Sequence, residues 1–321
     1  IFFAYGLHQL LLKLKTNYRN VIGILVIFLS CGILVYPIWN GDIFPQKHRV
    51  IIPAYYIEAN DYLNRQSSPD FPNRVFHIPF LLEIEKLQYS WGYMGEDPSE
   101  NLFDLESASK LGAPLYSLFY KTMIKYLDNK EFPRILGLLG IENVILHKDN
   151  IYPKIDLDKT KDIIENWNGV KGKKEFGLLT VYSLDKTLIK PRVYAVNSLI
   201  LVSSLEDGIL KILDESIDYK KTVFILDFIS DSSSFLNTKN MTSPNITFKK
   251  KLNSFYQVNV NDAKSPFILV LNNTYDKSWQ VRSEKEIIGN HFIVNGYANG
   301  WLVDKKGTYD IDIILKVWPW D

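Results

Sequence analysis

The chain has 321 residues, with 37 basic and 36 acidic side chains for a net charge of +1, and it is 46% hydrophobic and 23% charged. That length suits about two ordinary domains. The composition excludes a disordered or fibrous chain, and the charge balance gives nucleic acid no electrostatic hold. A single cysteine, Cys31, excludes an internal disulfide framework and any Cys-based metal pattern. The five histidines lack metal-ligand spacing, so neither a metal nor a cofactor is expected.

In chain order, the first signal is an apolar run from Ile1 to Leu12, too short to span a bilayer and read as the tail of an earlier membrane helix. LKLKTNYRN follows, with Lys13, Lys15 and Arg19 and no acid, which the positive-inside rule assigns to the cytoplasm. Val21 to Trp39 then runs nineteen residues without a charge. At 1.5 Å per residue that is about 28 Å, close to the hydrocarbon core. A transmembrane helix over 21–39 is therefore expected, with Tyr36 and Trp39 at the outer interface and everything beyond it extracytoplasmic. The closing KVWPWD carries Trp318 and Trp320 as a second interfacial pair, so the chain is read as part of a longer polytopic protein.

Residues 40–58 form a Pro-punctuated exit segment. In IIPAYYIEANDYLNRQ, Tyr55, Ala59, Tyr62 and Leu63 fall at helical spacing, before the stop at Ser67, Ser68 and Pro69. RVFHIPF (74–80) reads as a strand, and LQYSWGYMGEDPSEN as an aromatic and acidic loop. LYSLFYKTMIKYL is an amphipathic helix. FPRILGLLG is a short helix capped by Gly140, followed by the strand NVILH. Residues 155–168 are a charged helix and 177–184 a strand. The expectation for 40–188 is an α+β domain, a small sheet with helices on one face.

After Pro191 the pattern changes to short strands: VYAVNSLILVS, TVFILDFI, ITFKKKL, SFYQVNVNDA, PFILVLNNTY, HFIVNGY, GWLVD and TYDIDIILKV. A helix is expected at Glu206–Ser216. This spacing predicts a β-sandwich or jelly roll over 189–321. The overall fold class is α+β: a transmembrane helix within 1–39, a mixed α/β domain, then the β-sandwich. Asn-Gly pairs at 295–296 and 299–300 read as hairpin turns. The sequons at Asn240, Asn245 and Asn272 are glycosylation candidates.

Two groups could recognise sugar, because CH faces stack on aromatic rings while hydroxyls bond polar acceptors. One is Trp91, Tyr93 and Asp97 in WGYMGED. The other is Tyr275, Asp276, Trp279 and Trp301, set among turn residues. The competing reading is that these tryptophans simply pack the core. The carboxylate pairs Glu83/Glu85 and Glu96/Asp97 lack the opposed placement that glycoside hydrolysis needs, and no hydrolase or nucleotide-binding motif is present. No catalytic residue is assigned.

WGYMGED, Leu111-Gly112-Ala113-Pro114 and ILGLLGIENVILHKDN resemble the extracytoplasmic region of large polytopic GT-C-type membrane glycosyltransferases, the α-(1→3)-arabinofuranosyltransferase-like proteins. PFILVLNNTYDKSW and HFIVNGYANGWLVDKKGTYDI resemble their closing β-domain, so the likeness covers roughly residues 37–321. It implies a lipid-linked sugar donor and a catalytic acid in an early external loop, upstream of Ile1. It also implies a carbohydrate-binding-module-like β-domain, with Tyr275, Trp279 and Trp301 as contacts.

The sequence thus leads to the extracytoplasmic portion of a membrane glycosyltransferase-like protein in cell-surface glycan assembly. It would position acceptor or brace the membrane part, with bilayer lipid, surface glycan or lipid-linked sugar as partners. The alternative is a non-catalytic, membrane-anchored surface protein that binds glycan or protein.

Overall fold

The computed structural model describes residues 5, 9, 16–40, 50–79, 86–95, 98–108, 114–152, 155–227, 241–284 and 286–316. Outside them lie most of the Ile1–Leu12 run, Lys13, Lys15, Glu83, Glu85, Glu96, Asp97, Leu111–Ala113, Asn240, Trp318 and Trp320. The chain forms two compact units, Ile1–Ile51 and Ile52–Asp321.

In the first unit, Thr16–Trp39 forms the 24-residue helix α1. Its apolar side chains face outward: Phe28, Ile33 and Leu34 are each more than 70% exposed. Among the described residues no helix is long and apolar enough to cross a membrane.

The second unit opens with α2 (Ala54–Gln66), whose Tyr56, Ala59 and Leu63 are buried at helical spacing. The strands β1 (Arg74–Ile78), β2 (Leu87–Tyr89) and β3 (Met94–Gly95) follow. The short helix α3 (Ser99–Leu102), strand β4 (Glu106–Ser107) and helix α4 (Pro114–Met123) come next. Then come α5 (Phe132–Leu138), β5 (Ile141–His147), β6 (Asn150–Tyr152), α6 (Leu157–Glu165), β7 (Val170–Phe176) and β8 (Leu179–Leu184). Gly140, at φ +72°, ends α5 in the left-handed conformation that a side chain would oppose. The helix α6 begins where Asp156 accepts the amide of Lys159.

Five strands form a mixed sheet in the order β4-β1-β5-β8-β7. Its β4, β1 and β5 are parallel, and β8 pairs antiparallel with both β5 and β7. The sheet is covered on both faces, where helices on one face were expected. Val75, Ile145 and Val181 pack with Tyr56 and Leu63 of α2. Phe76, Val144 and Leu146 pack with Phe119, Phe132 and Ile135 of α4 and α5. Burial on both faces explains why β5 is buried along its whole length and shows no alternation. The loop expected over 87–101 holds two short strands, and β2 bridges β3 and β6 in a sheet of three.

The run expected as one strand, 193–203, divides at Asn197 into β9 (Val193–Val196) and β10 (Ser198–Val202), which join different sheets. From β10 the chain passes through α7 (Leu205–Leu213), capped by Ser204 on the Asp207 amide, and returns in β11 (Thr222–Leu226) parallel to β10. That is a βαβ crossover, which strand spacing alone did not indicate.

The remaining strands are β12 (Asn245–Leu252), β13 (Phe255–Ala263), β14 (Phe267–Thr274), β15 (Trp279–Ser283), β16 (Glu286–Ile287), β17 (Asn290–Val294), β18 (Ala298–Val303) and β19 (Gly307–Leu315). They make two antiparallel sheets, β12-β13-β19-β15-β16 and β17-β18-β14-β9. Tyr256, Val258, Val281 and Ile313 from the first share one cluster with Phe267, Leu269, Trp301 and Val303 from the second. Asn295 and Gly296 both have positive φ and form the β17–β18 turn, as their pairing predicted. Asn299-Gly300 is not a turn: it lies within β18, where Asn299 is fully buried.

Candidate functional site

A cleft of about 310 Å³ opens where the mixed sheet meets the two antiparallel sheets. Glu106 of β4, Arg192 ahead of β9, Asn253 and Tyr256 of the β12–β13 hairpin, Asn273 and Thr274 at the end of β14, and Trp279 opening β15 line it. The rings of Tyr256 and Trp279 lie 6.0 Å apart. Around them the lining is carboxamide, hydroxyl, carboxylate and guanidinium.

Behind this lining runs a buried polar seam. Arg74, fully buried, donates from Nε to Glu106 Oε2 at 3.0 Å. Its Nη1 reaches the Leu139 carbonyl at 2.8 Å, and its Nη2 the Asn272 carbonyl at 3.0 Å. Arg192 donates from Nη1 to Asn273 Oδ1 at 2.7 Å and from Nη2 to the Pro72 carbonyl at 2.6 Å. Burial lowers its pKa, Tyr256 opposes that, and the nearby charge of Arg74 lowers it further. A buried cation is tolerated when its donors are met, and here neutral oxygens meet two of them.

Of the sequence candidates, Trp279 is the one that lines the cleft. Trp301 is 1% exposed and belongs to the shared core, so its ring cannot meet a ligand. His291 stacks on it at 4.6 Å and 10°, and Tyr275 packs on His291 at 4.8 Å. Burial lowers the pKa of His291, against the hydrogen bond to Asn299. Asp276 is exposed and caps the approach to β15 by accepting the Ser278 amide at 2.8 Å.

Asn272 corrects the glycosylation expectation. It is fully buried, with Nδ2 donating to the Leu138 carbonyl at 3.0 Å and Oδ1 lying 2.6 Å from the Tyr297 hydroxyl. An attached glycan has no room there in the folded chain. Asn245 is exposed at the start of β12.

Trp91 and Tyr93 stack at 5.5 Å and belong to a second constellation. Trp91 Nε1, Tyr55 OH and Tyr56 OH all donate to Asp149 Oδ2, at 3.0, 2.8 and 2.9 Å. Burial first, and the Asp149 carboxylate second, push the Tyr55 hydroxyl far above its ordinary range. Tyr56 OH also lies 3.3 Å from His147 Nδ1, whose Nε2 is 2.9 Å from His77 Nδ1. The strand register explains the pair: His77 stands opposite Ile145, two residues before His147, on one face of the sheet. Sequence reasoning missed this grouping because 70 residues separate the histidines. The β-period of both strands was the available signal. Among the described residues no group of three acidic, His or Cys side chains could hold a metal ion.

No protein-family profile matches the chain, and no curated protein matches it. Among solved structures it is similar to the arabinofuranosyltransferase AftD from Mycobacteria, with 10% identity, a TM-score of 0.47, and coverage of 94% of this chain and 32% of that one. Two structures of a mutant of that enzyme are matched at 10% and 9% identity, with TM-scores of 0.36 and 0.40. They cover 93% of this chain and 34% and 33% of theirs, so the chain spans about a third of their length.

Proposed function

We propose that this chain is the extracytoplasmic portion of a membrane glycosyltransferase-like protein in cell-surface glycan assembly, and that its cleft holds saccharide. The observation that carries this is the cleft itself, where Trp279 lies among Arg192, Asn253, Asn273, Thr274 and Glu106. An apolar surface ringed by hydrogen-bonding groups matches a sugar ring, whose CH face is apolar and whose edge is all hydroxyl. Supporting the membrane location are the uncharged run Val21–Trp39 and the basic residues before it, a pattern that by the positive-inside rule favours an outer placement for the chain after Trp39. The role is acceptor positioning or bracing, with the glycosyl transfer carried out elsewhere in a longer protein.

The test is calorimetric or NMR titration of the purified chain in detergent with a panel of cell-surface oligosaccharides. Binding that Trp279→Ala removes while circular dichroism stays unchanged supports the reading. If no member of a broad panel binds, the saccharide cleft is wrong, and a surface protein that binds protein partners becomes the better account.

A further inference from the structure

Resting on that reading, we infer that the cleft selects an acidic saccharide, one bearing a carboxylate or a phosphate, over a neutral one. Arg192 lines the cleft and Arg74 lies directly behind it, ion-paired to Glu106 at 3.0 Å. Lys250 stands opposite Tyr256 in the β12–β13 register, which turns it toward the same side of the sheet as that lining residue. Arg74, Arg192 and Lys250 against Glu106 leave two positive charges in surplus.

The surplus is not cancelled nearby. The one carboxylate of the cleft is already engaged by Arg74. The two acceptors that Arg192 reaches, Asn273 Oδ1 and the Pro72 carbonyl, are neutral. Lys250 feels burial first and Arg192 second, both lowering its pKa, with Glu106 acting the other way. An anion in the cleft would give the mostly buried Arg192 guanidinium its counter-ion, with Lys250 on the same side of the sheet.

Arg192 also suits the task by shape. A guanidinium presents a planar fork of N–H donors matched to the paired oxygens of carboxylate and phosphate. Lys250 adds a mobile point charge at the edge strand. The bland alternative is that Lys250 is there only to keep the edge of β12 from pairing with another chain. That alternative explains neither Arg192 nor the absence of a carboxylate partner for it among the described residues.

The experiment titrates the full chain in detergent, at low ionic strength, with a glucuronic-acid disaccharide, its neutral glucose counterpart and glucose 1-phosphate. One charge-assisted contact predicts roughly tenfold tighter binding of the acidic probes, shrinking as salt is raised. Preference for the uronate alone identifies a carboxylate-bearing glycan, and preference for the phosphate alone a sugar phosphate such as a lipid-linked donor carries. Lys250→Gln, at an exposed position, should keep the fold and reduce the preference several-fold. Arg192→Gln should abolish the preference; should that variant misfold, Lys250→Gln decides. Equal affinity for neutral and acidic probes, or a preference untouched by Lys250→Gln, overturns the inference and leaves the saccharide cleft standing. Failure of all three probes to bind overturns the inference together with the reading beneath it.

Discussion

Trp91 donates its indole N–H to Asp149 at 3.0 Å across 58 residues of sequence, which makes the most sugar-like motif of the chain an anchor of its own loop. Two tyrosine hydroxyls converge on the same carboxylate oxygen. Asp149 is 1% exposed, so a buried carboxylate holds the WGYM segment against α2 and β5.

Removing that acceptor should be expensive. Asp149→Ala leaves three donors without their oxygen, and hydrogen bonds to a charged group are worth about 1.5–3 kcal/mol each before non-additivity. A loss of several kcal/mol in chemical denaturation is expected, along with raised amide exchange over residues 87–95. Trp91→Phe should cost less, since it keeps most of the ring contacts and gives up one bond. A denaturation midpoint unmoved by Asp149→Ala would mean the network is not the clasp it resembles.

Arg74 and Asn272 form the second clasp, joining the mixed sheet to β14 through paired side-chain and main-chain bonds. Arg74→Met strands Glu106 and four carbonyl-type acceptors, and with about 1–3 kcal/mol for each buried acceptor left unsatisfied a loss of several kcal/mol is expected. The same burial predicts that protein made in a glycosylating host carries no glycan at Asn272. Peptide mass spectrometry checks this, and occupancy there would require a chain modified before it folds.

Trp301 and Trp279 should separate cleanly. Trp301→Ala opens a cavity in the core shared by two sheets and should cost about 3–5 kcal/mol. Trp279→Ala, at the cleft and 5% exposed, should also destabilise, by a smaller amount, and should remove saccharide binding at temperatures where the fold persists. Melting curves run beside titrations distinguish the two.

Lys190 gives a pH signature. It is 4% exposed, sits 4.2 Å over the Tyr194 ring and donates to the Lys220 carbonyl. Burial lowers its pKa from 10.5 to about 7, with Asp218 opposing and Lys220 assisting. A lysine whose pKa falls on folding binds fewer protons in the native state between those two values. Its contribution to stability therefore rises with pH from about 7 to 10.5, by at most about 1.4 kcal/mol per unit. Below about 7 the full penalty applies. Lys190→Met should flatten that stretch of the stability profile, and an unchanged slope would show that the amine is solvated.

Much of the architecture could be read from periodicity. The run in β19, with Ile311 and Ile313 buried between half-buried or exposed neighbours, alternates as a strand with one face on a core must. The Asn295-Gly296 turn follows from φ preference alone. What escaped was long-range. VYAVNSLILVS reads as one strand because nothing local marks Asn197, whose amide is drawn aside by the Lys221 carbonyl. In the same way β5 hides its second covered face, since a strand buried on both sides has no polar stripe to show. Of the site, Trp279 was legible as an aromatic among turn residues. Arg192 and Glu106 were not, because only the meeting of three sheets brings them together.

The Arg74–Asn272 clasp also sets a schedule for synthesis. Its two halves are 198 residues apart, so at about 5–20 residues per second a nascent chain waits roughly 10–40 s between them. Throughout that interval a guanidinium destined for full burial has no Asn272 to receive it. The N-terminal lobe is therefore complete only after β14 has emerged, and truncation anywhere before it leaves an uncovered, charged seam.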